Sequence, residues 1–199
     1  MIGIVDYGAG NLKSVKNAID YLGFNARVVK RPEDISSVKR LILPGVGAFG
    51  SAVNKLKRSG LFETILNWLS DDLPFLGICL GLQLLFEKSE ESGNAKGFGI
   101  FKGKIKRFRK YKVPQIGWNS VKILKPSPLT GFERKTQFFY FLHSYYLVTS
   151  QHNLVIGTSD YGAEYASIIN QGNIYGVQFH PEKSGKNGLV LLKNWVEKC

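Results

Sequence analysis

Cys79 stands between two glycines in Gly77-Ile78-Cys79-Leu80-Gly81, at the end of the apolar run "FLGIC". A G-x-nucleophile-x-G pattern joining strand to helix is the signature of a nucleophile elbow. This sharp turn lifts the central side chain off the sheet edge and needs small residues two positions to either side. The following helix presents its free N–H groups and positive dipole end to the sulfur, which suits a nucleophile. A buried structural cysteine is the plainer alternative. Far along the chain, "VQFHPEKSG" sets His180 and Glu182 two residues apart after an apolar strand. In extended chain i and i+2 project to one side. Glu182 is then placed to orient an imidazole that accepts the thiol proton, and the three residues read as a Cys-His-Glu triad for acyl transfer. His143 and His152 have no such neighbour and read as structural or binding residues.

A third element, "LPGVGAFG" from Leu43 to Gly50, carries three glycines in six residues after a buried strand. Such a loop implies unusual dihedrals or close backbone approach to a ligand. Gly45, Gly47 and Gly50 spell G-x-G-x-x-G, but without a convincing βαβ unit or an acidic residue at the right offset. A plain turn is the bland reading. A loop whose backbone N–H groups, with that of Leu80, hold an oxyanion fits better. The β-branched Val46 resists φ > 0, so an inactive peptide orientation is expected to dominate here.

These residues need elements to position them. "IGIVDYG" reads as a strand, and Asn11 as the N-cap of an amphipathic helix from Leu12 to Leu22. "NARVVK", "RLILPG" and "FLGIC" read as further strands, Ser51 to Trp68 as one or two helices, and "LGLQLLFEKSEE" as the helix after the elbow. Continuous apolar strands alternating with helices imply a parallel sheet covered on both faces. After about residue 97 the chain turns to short aromatic and β-branched runs, which predict antiparallel hairpins beside the parallel core. Gly188 to Lys198 closes it as a helix. The expected class is α/β, as one domain over 1–199.

The 199 residues carry a net charge of +12, and 13% are aromatic, enough for a real core. Residues 1–100 hold 12 basic and 10 acidic side chains, and residues 101–199 hold 15 and 5, so the excess lies in the second half. Its densest piece, "KGKIKRFRKYK" from Lys102 to Lys112, has no nucleic-acid motif beside it. It reads as a solvated edge, a dock for a partner, or a lure for phosphorylated substrate, and nucleic acid is not expected. There is no secretory signal at the start and no apolar run long enough to span a bilayer. Two cysteines, one mid-chain and one last, suggest no disulfide framework. A reduced, cytoplasmic protein without a membrane partner is expected. No Cys/His cluster has metal-ligand spacing, so neither metal nor cofactor is expected.

With "DYGAGN", "LPGVGAFG", "GICLGLQLLFEKSEE", "GWN" (Gly117 to Asn119), "FYFLHSYY" and "VQFHPEKSG" on the page, the chain resembles the class I (triad) glutamine amidotransferases over its whole length. Within them it is most similar to the glutaminase subunits of imidazole glycerol phosphate synthases. The PGVG and GWN segments separate that branch from relatives feeding other synthases. The resemblance implies a flavodoxin-like fold, a mostly parallel central sheet with flanking helices and an antiparallel extension. It implies that Cys79 attacks the γ-carboxamide of L-glutamine, with the oxyanion on backbone N–H groups of Leu80 and of Gly45, Val46 and Gly47. His180, oriented by Glu182, protonates the ammonia and then activates water. Gly47, Gln83 and the strand from Tyr140 to Tyr145, including His143, Ser144 and Tyr145, hold glutamine.

Asn11, Trp118 and Lys183 match positions facing a synthase partner, a (β/α)₈ cyclase subunit in a heterodimer of histidine biosynthesis. Gln115, where many relatives have histidine, and Leu82, where methionine is frequent, depart from the pattern. With the basic stretch, Gln115 leaves room for one alternative, an ammonia-supplying paralogue for a sugar-amidinating synthase. A second alternative, another cysteine-dependent γ-glutamyl hydrolase sharing the elbow cysteine and histidine, is argued against by the combined HPE, PGVG and GWN segments.

Overall fold

The computed structural model describes every residue except 132–134. Its first half lays down strands β1 (Ile2–Val5), β2 (Ala26–Val29), β3 (Arg40–Gly45) and β4 (Phe75–Cys79). Between them run helices α1 (Leu12–Tyr21), α2 (Pro32–Ile35), α3 (Phe49–Arg58) and α4 (Leu61–Ser70). The elbow leads into a single helical turn, α5 (Leu80–Gln83), and strand β5 (Phe86–Ser89). The second half contributes β6 (Phe101–Arg107), β7 (Gln115–Ile123), β8 (Thr136–His143), β9 (Tyr145–Val148), β10 (Val155–Asp160), β11 (Glu164–Gln171) and β12 (Ile174–Val177), then α6 (Gly185–Lys198).

One sheet runs β2-β1-β3-β4-β12-β11-β10-β7-β8, with β5, β6 and β9 branching from it. Its first five strands are mutually parallel, and from β11 onward the pairing along the sheet is antiparallel. This is the α/β class, with a parallel centre, flanking helices and an antiparallel extension. The parallel strands β1, β3 and β4 are apolar almost throughout because both of their faces are covered. Alternation along β3 shows it: Leu41 and Leu43 pack toward α3 and α4, Ile42 toward α1 and α6. Strand β12 inserts beside β4 with Val177 opposite Ile78, and so carries the chain from one half of the fold to the elbow in the other.

Three local expectations need correction. The helix expected over "LGLQLLFEKSEE" is one turn only. The carbonyls of Leu84 and Leu85 accept from the N–H groups of Phe98 and Ile100, and Phe86 starts a strand paired with β6. Leu80 to Phe86 is buried all round, so periodicity cannot tell helix from strand there. The run "FFYFLHSYYLV" is two strands broken at Ser144, β8 pairing with β7 and β9 with β6. Strand β12 stops at Val177, so His180 and Glu182 are joined by a one-turn 3₁₀ helix, Pro181–Lys183, rather than by extended chain. At the other end, Asn11 does precede α1 but makes no side-chain cap bond.

Candidate active site

Cys79 has φ 55° and ψ −107°, a left-handed backbone that a non-glycine residue adopts only where its surroundings impose it. The flanking glycines explain how. A Cβ on Gly77 would stand 2.6 Å from the carbonyl oxygen of Gly81, and one on Gly81 would stand 1.9 Å from that of Leu43. The turn closes on itself and against β3, and only hydrogen atoms fit at both positions. With α5 only four residues long, the expected dipole contribution shrinks to that of the free N–H groups at the start of the turn.

The sulfur is nearly buried. It lies 3.7 Å from the Leu142 carbonyl oxygen and 3.6 Å from Nε2 of Gln178. Behind it, Nδ1 of His180 is 2.9 Å from Oε1 of Glu182, with the side chains 2% and 1% exposed. The other ring nitrogen, Nε2, is buried without a hydrogen-bond partner. Burial works against charge on this ring, but the Cys79 sulfur and then the Glu182 carboxylate favour it more, and His180 is pushed up to about 10. His180 stands close enough to the Cys79 sulfur for the charge of one to act on the other.

In front of the sulfur a cleft of about 450 Å³ opens, lined by Val46, Gly47, Leu80 and Gln83 on one side and His143, Ser144 and Tyr145 on the other. The structure therefore gathers the candidate nucleophile, the glycine-rich loop and the Leu142 to Tyr145 end of the candidate glutamine-binding strand around one space. Tyr140, expected to grip glutamine too, lies outside it against Trp118 and Lys183. Gly45 lies beneath it, so close to Leu80 and the Tyr7 hydroxyl that a Cβ would clash with both. The left-handed conformation in this loop falls on Gly47, at φ 102°, and not on Val46, which is partly exposed.

The far wall is held by backbone and buried polar groups. The break at Ser144 turns the Tyr145 carbonyl inward, where it accepts from His143 Nδ1 at 2.8 Å and from Gln83 Nε2 at 3.0 Å. His143 is buried, and desolvation lowers it to about 4, with the Tyr145 carbonyl opposing and His180 reinforcing the shift. It is a neutral histidine whose Nε2 faces the Tyr165 hydroxyl at 3.4 Å; that hydroxyl donates to Gln115 at 3.0 Å. Gln178, Tyr165 and Tyr7 were not singled out from sequence. Gln178 carried a usable signal, as a polar residue inside the apolar run that leads to His180.

The candidate partner residues lie apart from the cleft. Trp118 is 58% exposed on β7 and meets the Tyr140 ring edge-on at 6.3 Å, and Nζ of Lys183 sits 5.9 Å above that same ring. Asn11 stands at the start of α1, which packs near the Pro181–Lys183 turn. Among the described residues no three His, Cys, Asp or Glu side chains converge as a metal site, and no helix is long and apolar enough to cross a membrane.

The sequence profile described as "Glutamine amidotransferase class-I" matches residues 3–199. The chain belongs to this family. Among curated relatives of the amidotransferase, "Imidazole glycerol phosphate synthase subunit HisH" of Methanocaldococcus jannaschii is 47% identical over 198 residues, 99% of each chain. The protein of the same name from Moorella thermoacetica is 48% identical over 98% of this chain and 94% of its own. In Arabidopsis thaliana, "Imidazole glycerol phosphate synthase hisHF, chloroplastic" is 44% identical over 98% of the amidotransferase but only 34% of the plant protein. A solved "glutamine amidotransferase" superposes with TM-score 0.79 at 18% identity, covering 98% of this chain and 97% of the other, which shows the fold.

Proposed function

We propose that the chain is the glutaminase subunit of an imidazole glycerol phosphate synthase, hydrolysing L-glutamine on Cys79 and delivering the ammonia to a (β/α)₈ cyclase subunit. The observation that carries the chemistry is the convergence of the strained Cys79, the buried His180–Glu182 pair and the glycine-rich loop on one cleft. The subunit assignment is supported by relatives of that name matching essentially end to end.

Glutamine seats with its γ-carboxamide over Cys79, its polar groups met by Gln83, Gly47 and the His143-Ser144-Tyr145 segment. With the thiol proton already passed to His180, the sulfur bonds to the amide carbon and the carbonyl electrons move onto oxygen. Backbone N–H groups of Leu80 and of the Gly45-Val46-Gly47 segment hold that oxyanion. As the tetrahedral intermediate collapses, His180 returns the proton to the departing nitrogen, ammonia leaves and a γ-glutamyl thioester remains. A water molecule, deprotonated by His180, attacks the thioester; glutamate departs and the thiol is restored. Glu182 keeps Nδ1 protonated throughout, so Nε2 faces the reacting atoms.

Trp118, Tyr140 and Lys183 form the partner-facing cluster, and Asn11, at the start of α1, is a further partner-facing residue. A sugar-amidinating role or a free-standing γ-glutamyl hydrolase draws no support from the full-length relatives. The test is glutaminase turnover with and without a histidine-pathway cyclase subunit and its phosphorylated ligand. Strong stimulation is expected; no stimulation by a demonstrably competent cyclase rejects the assignment.

A further inference from the structure

Gln178 is fully buried, two residues before His180, and has no place in the mechanism above. The hydrogen bonds around it form a directed chain that begins at a group with no choice. A backbone carbonyl can only accept, so the Tyr145 carbonyl requires the amide nitrogen of Gln83, at 3.0 Å, to face it. The second N–H of that same nitrogen points to Gln178 at 3.2 Å, and therefore needs the oxygen end of the Gln178 amide. With Oε1 so committed, Nε2 of Gln178 is turned to the Cys79 sulfur at 3.6 Å. Amide orientation, ordinarily ambiguous, is fixed here by the network.

We propose that Gln178 is a positioning residue for the Cys79 sulfur. Its N–H fixes the position of the sulfur and stabilises the negative charge that appears once the thiol proton has left. The inference rests on Cys79 being the nucleophile. The Leu142 carbonyl, 3.7 Å away, can accept from the neutral thiol but repels the anion, so a donor against the sulfur, the Gln178 amide at 3.6 Å, favours the reactive form. Hydrogen bonds to a charged acceptor are stronger than neutral ones, and this one lies in a dry interior where they strengthen further. The relay ends at Gln83 and Tyr145, both in the wall of the glutamine cleft, so the residues that seat the substrate also fix the donor that readies the sulfur.

The test compares the wild-type chain with Gln178→Met, Gln178→Glu and Cys79→Ala, reading two quantities. One is glutamine turnover with the cyclase partner, as kcat and KM. The other is the rate of iodoacetamide alkylation at the Cys79 peptide, followed by mass spectrometry so that Cys199 does not interfere. Gln178→Met fills the same volume without a donor. Its kcat and its alkylation rate should both fall about tenfold or more, with KM changed less than about twofold. Gln178→Glu keeps an acceptor for Gln83 but faces the sulfur with oxygen, and should lose more than Gln178→Met in both readouts.

Wild-type alkylation in both variants, or a loss confined to KM, overturns the proposal, because a mere packing or substrate role moves neither sulfur readout. Should Gln178→Met lose the cooperative thermal transition, Gln178→Glu, close to the native shape, carries the test by the same readouts. Full turnover by Cys79→Ala would instead reject the nucleophile assignment itself, separately from the fate of Gln178.

Discussion

Oε1 of Glu182 lies 2.9 Å from Nδ1 of His180, and both side chains are sealed from solvent although the chain between them makes a full 3₁₀ turn. The carboxylate therefore serves orientation and charge at once. Glu182→Gln should lower glutaminase kcat by about a hundredfold or more, because the amide no longer secures the required tautomer. It should also cost roughly 3 kcal/mol of stability, since a buried imidazolium loses its counter-charge. Steady-state kinetics and urea unfolding of this variant check both, and activity within threefold of wild type removes Glu182 from the chemistry.

The same pair sets an alkaline limit. His180 is pushed up to about 10, so its imidazolium, the acid of the proposed mechanism, persists well above neutral pH. The high-pH limb of glutaminase kcat/KM should fall above about pH 9, and in Glu182→Gln it should move down by about one unit. A wild-type limb near the ordinary histidine range would contradict this.

The two buried histidines bound the pH range of folding from opposite sides. His180, raised above its unfolded value near 6.5, adds stability that is complete below about pH 6.5 and fades as pH climbs through about 10. His143, depressed to about 4, adds stability present above about pH 6.5 and lost as pH falls through about 4. Urea unfolding should be most difficult near pH 6.5 and roughly 1–3 kcal/mol easier toward either end. In His143→Asn the acid-side loss should shrink. An unchanged acid slope in that variant would mean His143 is not the group responsible.

Gly81 has no room for a methyl group. Gly81→Ala places a Cβ on the Leu43 carbonyl oxygen, at 1.9 Å, and should cost about 3 kcal/mol or more while displacing the Cys79 backbone. The urea midpoint reads it directly, and a wild-type midpoint would show that the elbow is looser than its geometry.

Trp118 should behave in the opposite way. Being exposed, it contributes little to folding, and Trp118→Ala should leave stability within about 0.5 kcal/mol. Binding to the cyclase subunit should weaken by about 2 kcal/mol or more, as for an aromatic anchor at an interface centre. Titration calorimetry of the pair decides; unaltered affinity places the interface elsewhere.

How far the sequence led depends on the residue. Strands β3 and β4 were readable to the residue because their apolar runs are bounded by charge, proline and glycine. The elbow was readable because backbone clashes at Gly77 and Gly81 exclude any side chain, which leaves a visible mark in the sequence. The segment after it was not: Leu80 to Phe86 is buried on every side, so its pattern holds no period. The break at Ser144 was hidden for a similar reason, since aromatic residues continue across it while the hydrogen-bond partner changes from β7 to β6. His180 and Glu182 were rightly paired for the wrong reason, a turn doing what an extended strand was expected to do. Gln178 was passed over because its meaning lies in Gln83 and Cys79, far away in the chain.

The central claim is that Cys79 carries the glutamyl group. The most direct measurement is ammonia and glutamate release from glutamine by the cyclase-bound chain, wild type against Cys79→Ala, with a search for a γ-glutamyl adduct on the Cys79 peptide during wild-type turnover. The account predicts adduct and turnover in the wild type and neither in Cys79→Ala. Undiminished release by Cys79→Ala would contradict it.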